Sequence, residues 1–393
     1  MCKFLGILSM QPNRIGLFTY HFSDNFGAVL QAYALRKWFI DRGLDAHFVN
    51  YHPRYVEEGG DFIQPFNPKY WRMNLKILYL KLSHTKSILL GNKEQAKRFQ
   101  SFRTEMLGVE GKRLEHLHEL NDLGDKYRLV VCGSDQIWNP SEQKGLDPAY
   151  FLNFPGKQVA HRISYAPSFG RDILPAAFHQ QATTLFHGLS SISVREKSGI
   201  DIVKQLSNRS ATLVPDPTFL HDSYQELLTI SNEQREGHIF CYALRTGQGI
   251  REACEQTAQH YNINILSPYN VHRRWQEIGE TVYPGPADWL KLIANAKCVM
   301  TNSFHGTVFA ILFKRPFLVI GLPGAKKGLN ERAKNLLAQL GLSDRFVEGD
   351  ALDNIVARLE APINWAYVDE CRQKMKAAGD TFLAEELAKA LAK

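Results

Sequence analysis

From Arg14 onward, short apolar runs of strand character alternate with helical patterns almost to the end of the chain. The run RIGLFTY (14–20) passes through HFSDNFG (21–27) into AVLQAYALRKWFIDRG (28–43), which Gly43 can close, and LDAHFVNY (44–51) is the next strand. Further strands are expected at 127–132, 162–169, 190–195 and 211–215. A polar stretch, HDSYQELLTISNEQREG (221–237), separates these from a second alternation. That one runs HIFCYAL (238–244), helix 251–261, NINILS (262–267), helix 287–296, KCVMT (297–301) and RPFLVIG (315–321). Such a rhythm predicts α/β architecture with parallel sheets and crossover helices. One core does not serve 393 residues. The expectation is two doubly wound domains facing a cleft: residues 1–220, a linker at 221–237, residues 238–365, and a final helix at 366–393.

One segment breaks the rhythm, a basic insertion at about 54–105. Between 69 and 103 it carries nine lysines and arginines, with Glu94 and Glu105 the nearby acids, and Trp71, Leu75, Leu78, Tyr79 and Leu82 interleave. Two readings stay open: a solvated helix packed on the first domain, or a helix that lies on a membrane surface beside a lipid-linked substrate.

The net charge of +7 suits an enzyme for anionic substrates or a protein visiting an acidic membrane surface, and falls short of a nucleic-acid binder. Six cysteines are scattered without metal spacing, as in a reduced cytoplasmic protein. The start, MCKFLGILSMQPNR, has too short an apolar run for a signal peptide, and no run is long enough to span a bilayer. A cytoplasmic chain, working free or at the inner face of the membrane, is the expectation.

Open α/β sheets bind ligands beyond the carboxyl ends of their strands, so residues just after strands carry the functional information. In TNSFHGTVFAILFK (301–314), His305 stands where a strand gives way to a buried helix. Ser303, Gly306 and Thr307 surround it at the helix start, where N–H groups favour an anion. The imidazole can exchange a proton or donate to that anion, or it can be a structural cap. In VVCGSDQIWNP (130–140), Asp135 can orient a sugar hydroxyl or accept its proton, with Gln136 beside it and Trp138 as an aromatic floor, or Ser134 or Asp135 can simply cap a helix. Arg195, in SVREKSG, can clamp a carboxylate or phosphate, or form an ordinary salt bridge with Glu196. Tyr20, Asn25 and Gly27 precede a helix on the same side and suit an acceptor phosphate or hydroxyl. Lys326, Lys327 and Arg332, in GAKKGLNER, are anion ligands or a solvated loop.

Nucleotide phosphate loops, the G-x-G-x-x-G fingerprint, D-x-D and H-E-x-x-H are all missing from the sequence, and His116 and His118 have no neighbouring ligands. No metal and no cofactor are expected.

Six stretches occur in order: TYHFSDNFGAVLQAYAL, VVCGSDQIWNP, RISYAPSFG, SVREKSG, VPDPTFL and TNSFHGTVFAILFKRPF. Together they resemble the polysaccharide pyruvyl transferase family over roughly residues 14–345. The resemblance implies two Rossmann-like domains arranged as in GT-B glycosyltransferases, with the last helix packed back on the first domain. It also implies transfer of an enolpyruvyl unit from phosphoenolpyruvate to a sugar, forming a pyruvate ketal and releasing phosphate. The acceptor would be nucleotide-linked, polymeric or a lipid-linked oligosaccharide for a cell-surface polysaccharide. Arg195 matches the family's donor-binding arginine and His305 its histidine. Many relatives carry arginine two positions before that histidine, where this chain has Ser303, so Lys326, Lys327 or Arg332 would supply the charge. Two rival readings are a metal-independent glycosyltransferase using a nucleotide sugar and a catalytically silent, glycan-binding member.

Overall fold

The computed structural model describes residues 14–143, 145–159, 161–244, 247–269, 278–322, 330–349 and 351–392. Among them, the first sheet comprises β1 (Arg14–Phe18), β2 (Asp45–Tyr51), β3 (Val109–Leu114), β4 (Leu129–Cys132) and β5 (His161–Ser164), in the order β3-β2-β1-β4-β5. All its pairings are parallel. A small parallel pair, β6 (Ser193–Val194) and β7 (Thr212–Leu213), adjoins β5 through a bridge between Ile163 and Ser191. The second sheet holds β8 (Ile239–Tyr242), β9 (Ile265–Pro268), β10 (Glu280–Val282), β11 (Cys298–Thr301), β12 (Phe317–Ile320) and β13 (Phe346–Val347). Its order is β10-β9-β8-β11-β12-β13, again parallel. In each sheet the strand order reverses beside the first strand, between β1 and β4 and between β8 and β11. Those reversals are where an open α/β sheet leaves a crevice.

α-Helices of six or more residues are α1 (Phe26–Ile40), α2 (Trp71–Leu90), α3 (Lys93–Phe102), α4 (His179–His187), α5 (Lys197–Ser207) and α6 (Gln225–Ile230). They continue with α7 (Gln248–Tyr261), α8 (Pro286–Asn295), α9 (Phe304–Leu312), α10 (Glu331–Gln339), α11 (Ile355–Glu360) and α12 (Trp365–Leu391). Helix α1 is apolar nearly all round and buried from Phe26 to Leu35, as a helix must be when both sides are covered. The first sheet lies on one side. On the other, Phe26 stacks on Trp289 of α8 with ring centroids 5.2 Å apart and meets Tyr242 edge-on at 5.8 Å. Helix α9 is likewise buried from Phe304 to Ile311. One apolar cluster therefore runs through both domains.

The polar stretch 221–237 is more than a bridge. It contains α6, whose Leu227 is fully buried, and Tyr224 packs edge-on against Phe309 of α9 at 5.2 Å. Helix α12 returns to the first domain. Trp38 Nε1 donates to Asp380 at 2.6 Å, and Arg128 donates to the carbonyls of Ala390 and Leu391 at 2.9 and 3.1 Å. His161 on β5 pairs with Glu386 at 2.8 Å, both side chains buried.

His21, just beyond β1, is enclosed. Its Nδ1 lies 3.1 Å from the Thr19 carbonyl and its ring stacks on Phe48. Burial pushes this histidine down to about 4, although the Thr19 carbonyl opposes the shift. A depressed histidine takes up its proton in the unfolded chain first, so stability falls as pH drops from about 6.5 towards 4, by about 3 kcal/mol in all. Urea midpoints measured across that window should slope more steeply for wild type than for His21→Asn, whose amide can still donate to Thr19. Equal slopes would exclude His21 as the source.

Candidate functional site

The site grows from three turns at the carboxyl ends of strands. After β4 the chain turns through Gly133, Ser134 and Asp135, with Asp135 in the left-handed region at φ 65°. After β5, Ala166 does the same at φ 54°. Non-glycine residues held there cost energy and collect at functional sites. The turns brace each other: Ser134 Oγ donates to the Ala166 carbonyl at 2.8 Å, and Ser168 N to the Asp135 carbonyl at 2.8 Å.

Asp216 lies at the centre, just beyond β7, in the sequence Val214-Pro215-Asp216-Pro217-Thr218. Its Oδ1 accepts from Thr218 N and Thr218 Oγ1 at 3.1 and 2.7 Å. Its Oδ2 accepts from Arg195 Nη1 at 2.7 Å and lies 3.4 Å from Ser134 Oγ and 3.5 Å from His305 Nε2. Arg195 comes from the end of β6 in the first domain, and His305 from the start of α9 in the second. The two residues, 110 positions apart by their numbers, thus meet on one carboxylate.

The electrostatics follow from that packing. Burial alone would raise the Asp216 carboxyl, but His305 and Arg195 overcome it and hold the group well below the usual carboxylate range. Burial opposes the charge of Arg195 too, yet Glu196, Asp216 and Asp135 hold its guanidinium firmly protonated. Arg195 Nε donates to Glu196 at 3.0 Å, and its cationic carbon sits 4.5 Å from the centre of the Phe304 ring. Among the described residues, its Nη2 is buried without a hydrogen-bond partner. That pair of N–H bonds is available to an anion.

His305 is only 7% exposed. Its Nδ1 edge rests on Gly27 at the first turn of α1, where a Cβ would collide with the ring. Glycine at 27 is therefore what lets the two domains close over the imidazole. Ser303 is the N-cap of α9 and accepts from Gly306 N at 3.3 Å, while Thr307 Oγ1 donates to the Ser303 carbonyl at 2.9 Å. Both hydroxyls are thus engaged in forming the helix end. Gly306 sits close against Thr301 and Tyr242, with no room for a side chain.

Around this centre the expected residues divide. Gln136, on the first domain, has its amide between Asn139 at 2.7 Å and the Arg332 guanidinium of α10 at 3.1 and 3.2 Å, a polar link across the domains. Asp135 is half-buried beside them. Asn25 is the N-cap of α1, accepting from Ala28 N at 3.2 Å. Two expectations need correction. Trp138 does not floor the cleft: its ring is wholly buried, stacked on Phe151 at 4.8 Å, and its indole N–H donates to the Tyr150 carbonyl at 2.9 Å. Tyr20 likewise packs edge-on to Tyr150 at 5.1 Å inside the same core. Both are core residues, held there by the rings of Tyr150 and Phe151. Lys326 and Lys327 lie outside the described residues.

The sequence assigned no role to Asp216 or Thr218, and to Ser134 only that of a helix cap. The signal for Asp216 was an aspartate between two prolines after a short strand, with threonine two residues on, a pattern that fixes a carboxylate by its own turn. Among the described residues, no group of three or more His, Cys, Asp or Glu is placed to hold a metal ion. No helix among them is long and apolar enough to cross a membrane.

Solved structures share the architecture. S. aureus MnaA, in a UDP co-structure, aligns with a TM-score of 0.50 at 11% identity, covering 91% of this chain and 90% of that one. A putative UDP-N-acetylglucosamine 2-epimerase from Listeria monocytogenes aligns with a TM-score of 0.50 at 9% identity, covering 93% and 91%. The glycotransferase of kitacinnamycin aligns at 0.49 and 11% identity, over 97% and 99%. At such identities the likeness of the first two concerns the fold alone, two Rossmann-like domains in a GT-B-like arrangement. No curated protein matches the chain. The sequence pattern of polysaccharide pyruvyl transferases matches residues 25–322, a span that begins at the cap of α1 and takes in Asp135, Arg195, Asp216 and His305, and by this match the chain belongs to the polysaccharide pyruvyl transferase family.

Proposed function

We propose that the protein transfers an enolpyruvyl unit from phosphoenolpyruvate to two hydroxyls of a sugar in a cell-surface polysaccharide precursor, forming a pyruvate ketal and releasing phosphate. The observation that carries this reading is the meeting of Arg195 and His305 on Asp216 at the crevice of both sheets, in a chain of this family. Phosphoenolpyruvate presents a carboxylate and a phosphate, and needs two cationic or N–H-rich groups for them. Arg195 Nη2 receives one. The α9 N-terminus with Arg332, and with Lys326 or Lys327, receives the other, making up for serine at 303.

Asp216 acts as a positioning residue. Its Oδ2 lies 3.5 Å from Nε2, on the side from which a carboxylate orients an imidazole in hydrolytic triads. Ketal formation removes one proton from each attacking hydroxyl, delivers one to the donor methylene carbon and sends the other away with the leaving phosphate. His305 is the principal proton-transfer group, and Asp135 orients or deprotonates the acceptor. No metal or cofactor takes part in this scheme.

A binding-only reading has one observation in its favour: the Arg195 charge is already met by Asp216 and Glu196. A ligand panel separates the readings. Thermal unfolding with phosphoenolpyruvate and with a series of nucleotide sugars reports occupancy, about 2.7 kcal/mol at a hundredfold excess over Kd. Stabilisation by phosphoenolpyruvate, with phosphate release when a sugar acceptor is added, is the expected outcome. Stabilisation by a nucleotide sugar alone would make the protein a glycosyltransferase, and donor binding without phosphate release would make it a binding protein.

A further inference from the structure

Ten of the sixteen exposed large apolar side chains among the described residues lie between Phe62 and Leu89, so the protein's exposed apolar surface is concentrated on one element. That element is α2 and the loop before it. Along α2, Trp71, Leu75, Leu78, Leu82 and Leu89 follow helical spacing and fall on one face, with Leu75, Leu82 and Leu89 each more than 60% exposed. The orientation is fixed from behind. Ile77 is fully buried on the opposite face, and the Asn74 amide bonds both the N–H and the carbonyl of Ile63 at 2.8 Å. The stripe therefore faces outward by construction and is about 30 Å long.

Charge selects its occupant. Arg72, Lys76 and Lys86 flank the stripe along one side. From Phe62 to Lys93 the sequence has six lysines and arginines and no aspartate or glutamate. A second copy of the chain would bring the same cations face to face, because a twofold interface pairs like with like. An apolar helix face edged with basic residues, too polar to cross a bilayer, is the pattern of a helix lying in the headgroup region.

We infer that α2 is a docking element for an anionic lipid surface, its apolar stripe inserted among the acyl chains and its basic edge on the headgroups. The element is tied to the site. Helix α3 follows after two residues, its Phe99 packs on Phe26 at 4.9 Å, and Arg103 bonds the Phe22 carbonyl and Asp24 at 3.1 and 2.7 Å. Docking would thus set the loop after β1, on the first-domain rim of the crevice, towards the bilayer. The inference concerns the surface alone and does not depend on the identity of the donor.

Flotation of the full-length protein with phosphatidylglycerol–phosphatidylcholine vesicles, against pure phosphatidylcholine vesicles, tests it. Wild type should bind the anionic vesicles preferentially and lose binding as salt is raised. The double variant Leu75→Asp/Leu82→Asp should lose at least about tenfold in partitioning. The triple variant Arg72→Ser/Lys76→Ser/Lys86→Ser should lose about a hundredfold, near fivefold for each cation. These side chains are exposed, so unfolding midpoints should stay at the wild-type value, and should one variant fold poorly the other still decides. Absence of vesicle binding, or equal binding to both vesicle types, would overturn the inference. So would a wild-type dimer that the leucine double variant makes monomeric, since a second copy would then be the occupant.

Discussion

In His305→Ala, phosphate release from phosphoenolpyruvate in the presence of acceptor falls by a factor of about 10²–10⁴, the usual worth of a positioned proton-transfer group. The loss is expected in kcat more than in KM, because Arg195 and the α9 N-terminus, the proposed donor-binding groups, are untouched. The imidazole is enclosed by Gly27, Phe304 and Asp216, so removing it leaves a small void, and some stability is lost as well. Circular dichroism and a urea midpoint separate that effect from chemistry: the variant should be folded at the assay temperature and still inactive. Retention of more than about a tenth of the wild-type rate would remove His305 from the reaction.

Asp216→Asn should damage both fold and rate. The asparagine can keep the contacts with Thr218, but its amide turns a donor towards Arg195 Nη1, and the buried guanidinium is left with Glu196 as its direct partner. Breaking a buried pair in this way costs about 3–5 kcal/mol, a large share of the stability of an ordinary domain. The sign with pH is definite. The native Asp216 carboxyl is depressed, so its contribution is complete above its unfolded value of about 3.9 and shrinks only as pH falls below that. The wild-type advantage should therefore be constant from neutral pH to about pH 4. At neutral pH the variant should also lose at least about a hundredfold in kcat, since the imidazole is no longer held. Urea unfolding and initial rates check both. A variant within about 0.5 kcal/mol of wild type, with its rate intact, would show that Asp216 merely fills space.

The sequence made the repeating units legible because strand and helix periods differ and each unit must bury one face. The centres of both sheets, β1, β4, β8, β11 and β12, fall inside the expected runs. The strands not anticipated, β3, β10 and β13, lie at or near sheet margins, where VEGKRL and ETV are too polar or too short to carry a strand signal. Within the site, His305 and Arg195 were legible from their place just after strands. Asp216 was not, because its role depends on a partner from each domain and no local pattern encodes that meeting. Trp138 and Tyr20 misled for the opposite reason. An aromatic residue beside a polar turn has the same composition whether its ring faces the cleft or the core, and here the rings of Tyr150 and Phe151 draw it inward. Residues 221–237 read as a linker through their polarity, while Tyr224 and Leu227 anchor them in the core.

The most direct measurement of the central claim is the mass of a sugar acceptor, lipid-linked or nucleotide-linked, after incubation with phosphoenolpyruvate and the wild-type chain. The account predicts an acceptor heavier by one pyruvyl group, one phosphate released for each ketal formed, and neither product with His305→Ala. An acceptor left unmodified while phosphoenolpyruvate stays bound and intact, or one that gains a sugar from a nucleotide donor, would contradict it.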